Sequence, residues 1–143
     1  MTGRTGLVVM VALATMCAAF GGASKPDASD VKRRAARFAA CAKKSDYKVV
    51  RPKPPNERAD FLHEQGLTFA EVDLEEPPAL FFAAIVDFFP HRSDATKAKE
   101  SIASSLAGPS TVQKSTVVVH YTDDPETPKR KKVEGVVNGC LRK

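Results

Sequence analysis

The chain has 143 residues and a formal net charge of +5 at pH 7, with 22 Lys and Arg against 17 Asp and Glu. This length supports a single domain with one hydrophobic core. The sequence contains no glycine-rich phosphate loop, nucleophile elbow or paired-cysteine metal knuckle, which argues against the enzymes and metal proteins that depend on them. We therefore expect neither a metal nor a cofactor.

The N-terminal segment, residues 1–24, has the order of a secretory signal peptide. Arg4 gives a short positive leader, residues 7–20 are almost entirely apolar, and small residues follow. This order is typical of a signal that is cleaved at its small residues. A retained membrane anchor stays open as an alternative. A lipoprotein anchored through Cys17 is disfavoured, because the residue before that cysteine is the bulky Met16.

Two cysteines remain after cleavage, Cys41 and Cys140, near the two ends of the mature chain. In an oxidising compartment such a pair is expected to form a bridge. The chain has no C-x-x-C motif and no histidine near either cysteine, which argues against a metal or redox site. We predict one structural disulfide.

Basic residues are concentrated in the two segments that this disulfide would join. Residues 29–45 and 125–143 together hold twelve Lys and Arg against three Asp and Glu, whereas the rest of the mature chain has more acidic than basic residues. Such a polarity can attract anionic lipid or polymer to one side of a protein. The alternative is a pair of solvated helix faces without a ligand.

The first half of the mature chain is predicted to contain two helices and a strand. Ser29 is expected to cap a helix that runs through Lys44, because apolar residues follow at helical spacing. Tyr47–Arg51 is predicted as a short strand that ends at a group of prolines. Asn56 is expected to cap a short helix through Gln65.

The second half is predicted to contain three strands and two helices. Leu67–Leu74 alternates with a shift of phase, which indicates a strand with a bulge. Ala79–Phe89 fits a central strand covered on both faces, with a helix as the alternative. Ser93 is expected to cap a helix, Thr116–Tyr121 is the clearest strand, and residues 123–125 are expected to open the last helix.

The predicted order is α, then β-α-β-β-α-β, then α. This order indicates one secreted α+β domain over residues 25–143, with a ferredoxin-like core of four antiparallel strands and two helices. Its extra N- and C-terminal helices must lie side by side for the two cysteines to meet.

Four segments occur in a fixed order along the mature chain: the helix with Cys41 before Tyr47-Lys48-Val49-Val50, Phe88-Phe89 before a Ser-Asp-Ala helix start, Thr116 to Val119, and Gly139-Cys140-Leu141. In these segments the chain resembles a group of small, uncharacterised secreted proteins of high-GC bacteria that combine a signal peptide with one disulfide. The resemblance implies an α+β fold and an extracytoplasmic location. It carries no catalytic residues.

Histidines and carboxylates are the candidates for catalytic chemistry. None of the three histidines has a partner at metal-ligand spacing. His120 is the best single candidate for a site, because it lies in the clearest strand and points away from the face that its apolar neighbours occupy. Glu71 and Asp73 alternate along a strand at a spacing of about 7 Å that an acid–base pair could use, although a solvent-facing edge explains them more simply.

A run of four basic residues is the candidate binding surface. Lys129, Arg130, Lys131 and Lys132 lie in the first turns of the last predicted helix, and together they could grip phosphates of a lipid or polymer. Nucleic acid is not expected as a partner, because no pattern of stacking aromatic residues accompanies the run.

We therefore expect a non-catalytic envelope or secreted interaction domain whose basic terminal helices bind anionic lipid or cell-wall polymer, or whose partner is an envelope protein. One alternative is a small secreted hydrolase, for example a ribonuclease-like enzyme that uses two histidines as acid and base. A second alternative is a carrier whose pocket is lined by phenylalanines, namely Phe81, Phe82, Phe88 and Phe89.

Overall fold

The computed structural model describes residues 27–52, 56–78, 82–105 and 110–143. The predicted signal peptide, residues 1–24, lies outside these residues. None of the helices they form is long and apolar enough to cross a membrane. The elements follow in the order α1 (Ala28–Ala42), β1 (Lys48–Val50), α2 (Glu57–Glu64), β2 (Ala70–Glu75), β3 (Phe82–Phe88), α3 (Arg92–Ser105), β4 (Thr111–Lys114), β5 (Val117–Tyr121) and α4 (Pro128–Leu141).

A five-stranded sheet forms the middle of the described domain. Its strands lie in the order β1-β2-β3-β5-β4, and every neighbouring pair is antiparallel. The prediction of a strand within Ala79–Phe89 is confirmed for Phe82–Phe88, which forms the central strand. The pairing of β2 with β3 shifts its register between Leu74 and Glu75, so the irregularity lies at the end of β2.

The edge strand β4 was not predicted from the sequence. It pairs with β5 in a tight hairpin in which Lys114 lies opposite Val117, so only Ser115 and Thr116 form the turn. The four residues of β4 contain one strongly strand-forming apolar side chain, Val112. These residues therefore form a strand because they pair with β5, and not because of their own strand propensity.

The α+β class is confirmed, whereas the ferredoxin-like arrangement is not. In a ferredoxin-like core, each pair of strands joined by a helix is separated by a third strand. The connection from β3 through α3 to β4 satisfies this rule, because β5 lies between the two strands. The connection from β1 through α2 to β2 does not, because those strands are direct antiparallel neighbours.

Polar caps fix the starts of the first two helices. The Asp27 carboxylate accepts hydrogen bonds from the backbone N–H groups of Ser29 at 2.8 Å and Asp30 at 3.0 Å, so Asp27 and not the predicted Ser29 caps α1. The predicted cap of α2 is confirmed, since the Asn56 side chain accepts from the backbone N–H of Ala59 at 3.1 Å.

The last two helices begin elsewhere than predicted. Helix α3 begins at Arg92, so Ser93 lies within its first turn and does not cap it. Helix α4 begins at Pro128, later than the predicted opening at residues 123–125. Thr127 caps it by accepting a hydrogen bond from the backbone N–H of Arg130, and a proline suits the first helical position because its missing N–H would have no helical partner.

Helices cover both faces of the sheet. Helices α1 and α4 pack on one face, where alternate strand residues such as Val72, Val86 and Val119 meet Phe38 and Val133. Helices α2 and α3 pack on the other face, where the core consists of Leu62, Leu67, Phe89, Ala95, Ala98, Ile102 and Val118. Because successive side chains of a strand point to opposite faces, the same sheet contributes residues to both cores.

The predicted disulfide is confirmed. Cys41 at the end of α1 bonds to Cys140 at the end of α4, with the two Cα atoms 5.6 Å apart and 99 residues apart in sequence. A loop of this length corresponds to about 4–5 kcal/mol of stabilisation in the chain-entropy view. The bridge holds the two basic segments side by side on one face of the sheet.

Candidate functional site

A recess in the described part of the chain lies where α1 and the end of α4 meet one end of the sheet. It is an open groove of about 620 Å³. Phe38 of α1, Phe88 of β3 and Val117 of β5 form its base, and Cys140 and Leu141 contribute an apolar wall. The remaining described lining is polar and carries five basic side chains, Arg34, Arg37, Lys114, Arg142 and Lys143, and no Asp or Glu side chain.

Helix geometry explains how α1 contributes both surfaces of the groove. Phe38 lies on the buried face of α1, and Arg34 lies one turn earlier, where an i, i+4 pair shares one side of a helix. Arg37 precedes Phe38 and is exposed. One turn of a single helix therefore places an aromatic ring at the base and two guanidinium groups beside it.

Arg34 is held in place by partners on three elements. Its Nη1 donates to Thr116 Oγ1 at 2.7 Å, its Nη2 donates to the carbonyl oxygen of Phe89, and its Nε lies 3.1 Å from Asp30 Oδ2. These contacts join α1 to the β4–β5 turn and to the end of β3. Because the Asp30 carboxylate compensates its charge, Arg34 forms part of the groove wall but is not one of the cations available to an anion.

The other basic side chains of the groove have no carboxylate partner among the described residues. Lys114 donates to the neutral amide oxygen of Asn138. Arg37, Arg142 and Lys143 are exposed and form no ion pair with any described carboxylate. The groove thus combines an apolar base with a rim of uncompensated positive charge, which attracts anions.

The predicted basic run lies at the opposite end of α4, and most of its side chains already contact other residues of the protein. The guanidinium of Arg130 is buried and stacks over the Tyr121 ring. The Lys129 and Lys132 ammonium groups lie 3.4 Å and 3.0 Å from carboxylate oxygens of Glu76 and Asp46. Lys131, the remaining member, is exposed. The run therefore presents less free charge than its sequence suggests.

His120 lies on the α2–α3 face of the sheet, where its half-buried ring packs beside β4. Its Nδ1 is 2.9 Å from Thr111 Oγ1. Burial lowers its pKa, and the positive charges of Arg58 and Arg130 lower it further. His63 lies in α2 and His91 just before α3, and no hydrogen bond joins two histidines within the described residues.

The predicted carboxylate pair belongs to a buried acidic cluster on the same face. Glu71 accepts hydrogen bonds from Asn56 at 2.9 Å and from Arg58 at 2.8 Å, and Arg58 also bridges to Asp87. Asp73 is only 2% exposed and lies opposite Ile85, which in turn lies opposite His120. Glu71, Asp73 and His120 thus share a face, but a strand separates Asp73 from the histidine.

Asp73 has a strongly perturbed environment in this cluster. Burial raises its pKa to about 7, and the negative charges of Glu71 and Asp87 contribute to the rise. Burial also raises the pKa of Asp87, although Arg58 counteracts part of that rise. Within the described residues, no group of histidine, cysteine and carboxylate side chains is arranged to hold a metal ion.

A smaller recess of about 260 Å³ adjoins the acidic cluster. Its lining includes His63, Asp60, Arg51, Phe69 and Glu71. The His63 ring packs against Phe69 with ring centroids 4.9 Å apart, and its Nδ1 is 3.1 Å from the carbonyl oxygen of Leu67. These contacts hold the ring in position, and Glu71 is occupied by Asn56 and Arg58.

The predicted phenylalanine pocket is not formed as a unit. Phe88 lies at the base of the groove, whereas Phe89 is buried in the core on the opposite face. Phe82 is 40% exposed at the start of β3, and Phe81 lies outside the described residues.

The groove residues were only partly foreseen. Arg37, Arg142 and Lys143 belong to the two basic segments, but no pattern in the sequence indicated that Lys114 lies near them, because β4 itself was not predicted.

Comparisons of the chain with protein-family models, with curated proteins and with solved structures found no match.

Proposed function

We propose that this protein is an exported, non-catalytic binding domain that takes an anionic ligand in the groove between α1, α4 and the sheet. One observation carries the proposal: five basic side chains and no Asp or Glu side chain line the described part of the groove. Within the proposal, residues 1–24 act as the export signal, and membership of the group of small secreted proteins stays a prediction.

Charge and shape support this function together. The free cations are Arg37, Lys114, Arg142 and Lys143, and they converge on one recess instead of being spread over two helix faces. Convergent cations around a concave surface concentrate the electrostatic potential and raise the local concentration of anions. The disulfide contributes by fixing the end of α4 against α1, because Arg142 and Lys143 follow directly after α4.

A hydrolase has less support from the same geometry. General acid–base catalysis needs two titratable groups within reach of one substrate atom. The His120 ring is hydrogen-bonded to Thr111, and the Glu71 carboxylate is hydrogen-bonded to Asn56 and Arg58, so both groups already have partners within the protein. The buried carboxylate of Asp73 lies on a strand that is not adjacent to the strand of His120.

The proposal is tested by binding to soluble polyphosphate and to phosphatidylglycerol vesicles, with phosphatidylcholine vesicles as the neutral reference. We expect binding to at least one anionic probe, and we expect it to weaken with added salt, because exposed charges are screened. The double variant Arg37→Glu/Arg142→Glu should weaken it by about tenfold or more, since two attractive contacts become repulsive.

The matched control is Lys32→Glu/Lys44→Glu, which makes the same change of net charge at exposed positions of α1 and beyond its end, outside the groove. We expect this control to bind within about threefold of the parent protein. A third variant, Lys129→Glu/Lys131→Glu, examines the basic run. Equal losses in all three variants would mean that net charge alone attracts the ligand, and the groove proposal would then be wrong.

A further inference from the structure

We infer that the ligand of the groove is a single-chain anionic amphiphile, bound as a monomer with its tail along the apolar wall and base of the groove and its acidic head at the basic rim. Fatty acids and alkyl phosphates share this chemistry. The inference rests on the proposed function and adds the class of ligand to it.

The base of the groove argues for an apolar tail. The Phe38 and Phe88 rings pack at a centroid distance of 5.6 Å with their planes tilted by 57°, and Val117 lies beside them. Half-buried Leu141 and Cys140 extend this apolar surface to the opening of the groove. Phe38, Phe88 and Val117 are only 2%, 3% and 7% exposed, so the apolar surface left for a ligand is mainly that of half-buried Leu141 and Cys140. An alkyl chain would remove this surface from water, whereas a fully hydrophilic polyanion would leave it exposed.

The shape of the site argues for a single molecule rather than a membrane surface. A volume of about 620 Å³ lies within the range of about 300–1,000 Å³ that is typical of small-molecule pockets. A recess of this kind is concave, so a planar bilayer would meet the rim and leave the base empty. The ligand must therefore leave the bilayer in order to lie in the groove against Leu141 and Cys140.

The rim argues for an acidic head group. Arg37 and Arg142 carry planar guanidinium groups, which bind carboxylate and phosphate through two parallel hydrogen bonds. Lys114 lies at the end of β4 on the same rim, where Asn138 orients its ammonium group. Carboxylate and phosphate heads both satisfy this arrangement, so the experiment includes both.

A chain-length series tests the tail. Octanoate, decanoate and dodecanoate are titrated below their critical micelle concentrations by calorimetry, together with dodecyl phosphate and with neutral dodecanol. We expect the Kd to decrease by up to about fourfold for each methylene group until the apolar surface of the groove is covered, because each buried methylene adds a fixed increment of transfer free energy. Dodecanol should bind at least about tenfold more weakly than dodecanoate.

Two variants connect these affinities to the groove. Asn138→Phe narrows the recess without removing a charge and should abolish the dependence of affinity on chain length. Arg37→Glu should weaken dodecanoate and dodecyl phosphate while leaving dodecanol unchanged. Circular dichroism and a thermal melt confirm that both variants fold, and the chain-length series on the parent protein does not depend on either variant.

The outcomes separate the inference from the proposed function. If octanoate and dodecanoate bind equally while polyphosphate binding stays sensitive to Arg37→Glu, the ligand is a polyanion and the amphiphile inference is wrong. Binding only to anionic vesicles, or only to an acidic peptide such as pentaglutamate, would overturn it as well. If no anionic probe binds, both the inference and the proposed function fail.

Discussion

The guanidinium of Arg130 stacks over the ring of Tyr121, with its Cζ atom 3.6 Å from the ring centroid. Arg130 is 3% exposed and Tyr121 is fully buried. The Nη1 of Arg130 also donates to the carbonyl oxygen of Asp123 at 3.2 Å, which ties the start of α4 to the end of β5. A residue of the predicted binding run is therefore part of the structural core.

Arg130→Met should destabilise the fold by about 1–3 kcal/mol, because it removes a desolvated cation–π contact and the hydrogen bond to the Asp123 carbonyl. Lys131→Met, at the exposed neighbouring position, is the control and should change stability by less than about 0.5 kcal/mol. Urea unfolding monitored by circular dichroism measures both. Equal effects of the two substitutions would contradict the structural role of Arg130.

Asp73→Asn should stabilise the protein above neutral pH. The pKa of Asp73 is raised by burial from an ordinary value of 3.8 to about 7. When the pKa of an acid is higher in the folded than in the unfolded chain, the free energy of unfolding is greatest below the pKa of the unfolded chain. For Asp73 the free energy of unfolding should therefore fall as the pH rises from about 4 to 7. Asparagine cannot ionise, so the variant should gain an advantage across that window that approaches about 2–4 kcal/mol above pH 7.

Urea unfolding at a series of pH values between 4 and 8 measures this difference. Asp124→Asn, which removes an exposed carboxylate from the turn before α4, is the control and should show a nearly constant difference from the parent protein. A pH-independent effect of Asp73→Asn would show that the carboxyl group is not held neutral by its surroundings.

Arg58→Met should be among the most destabilising substitutions on the α2–α3 face. It would leave the buried carboxylates of Asp87 and Glu71 without their shared guanidinium partner, which costs about 3–5 kcal/mol for a buried ion pair that loses one member. The double variant Arg58→Met/Asp87→Asn removes one of these charges and should recover part of the loss. Thermal and urea unfolding measure the stabilities of the parent protein, the single variant and the double variant. If the double variant is no more stable than Arg58→Met, unpaired charge is not the cause of the loss.

The sequence predicted those parts of the fold that depend on local pattern or simple counting. The central strand within Ala79–Phe89 followed from an apolar run that is buried on both faces, and the disulfide followed from a single pair of cysteines outside the predicted signal peptide. Helix starts were less reliable, because Asp27 and Ser29 are both good caps and only backbone geometry decides between them.

The arrangement of the strands and the groove could not be predicted in the same way. Strand β4 forms by pairing with β5, so its four residues carry little signal of their own. Without β4 there is no reason to place Lys114 beside Arg37, which is 77 residues earlier in the chain. The basic segments were visible from composition, but composition does not show that Asp46 and Glu76 would pair with lysines of the run instead of leaving them free.

The turn between β4 and β5 offers a last test, because Ser115 has a φ of +56°, in the left-handed region that favours glycine. Ser115→Gly should therefore stabilise the hairpin by about 0.4–1 kcal/mol by relieving the unfavourable backbone conformation, whereas Ser115→Val should destabilise it by more than that. Ser101→Gly within α3 is the control and should have the opposite sign, with a loss of about 0.5 kcal/mol, because glycine weakens a helix interior. Urea unfolding measures all three, and a destabilising Ser115→Gly would mean that contacts of the serine side chain outweigh the strain of its backbone.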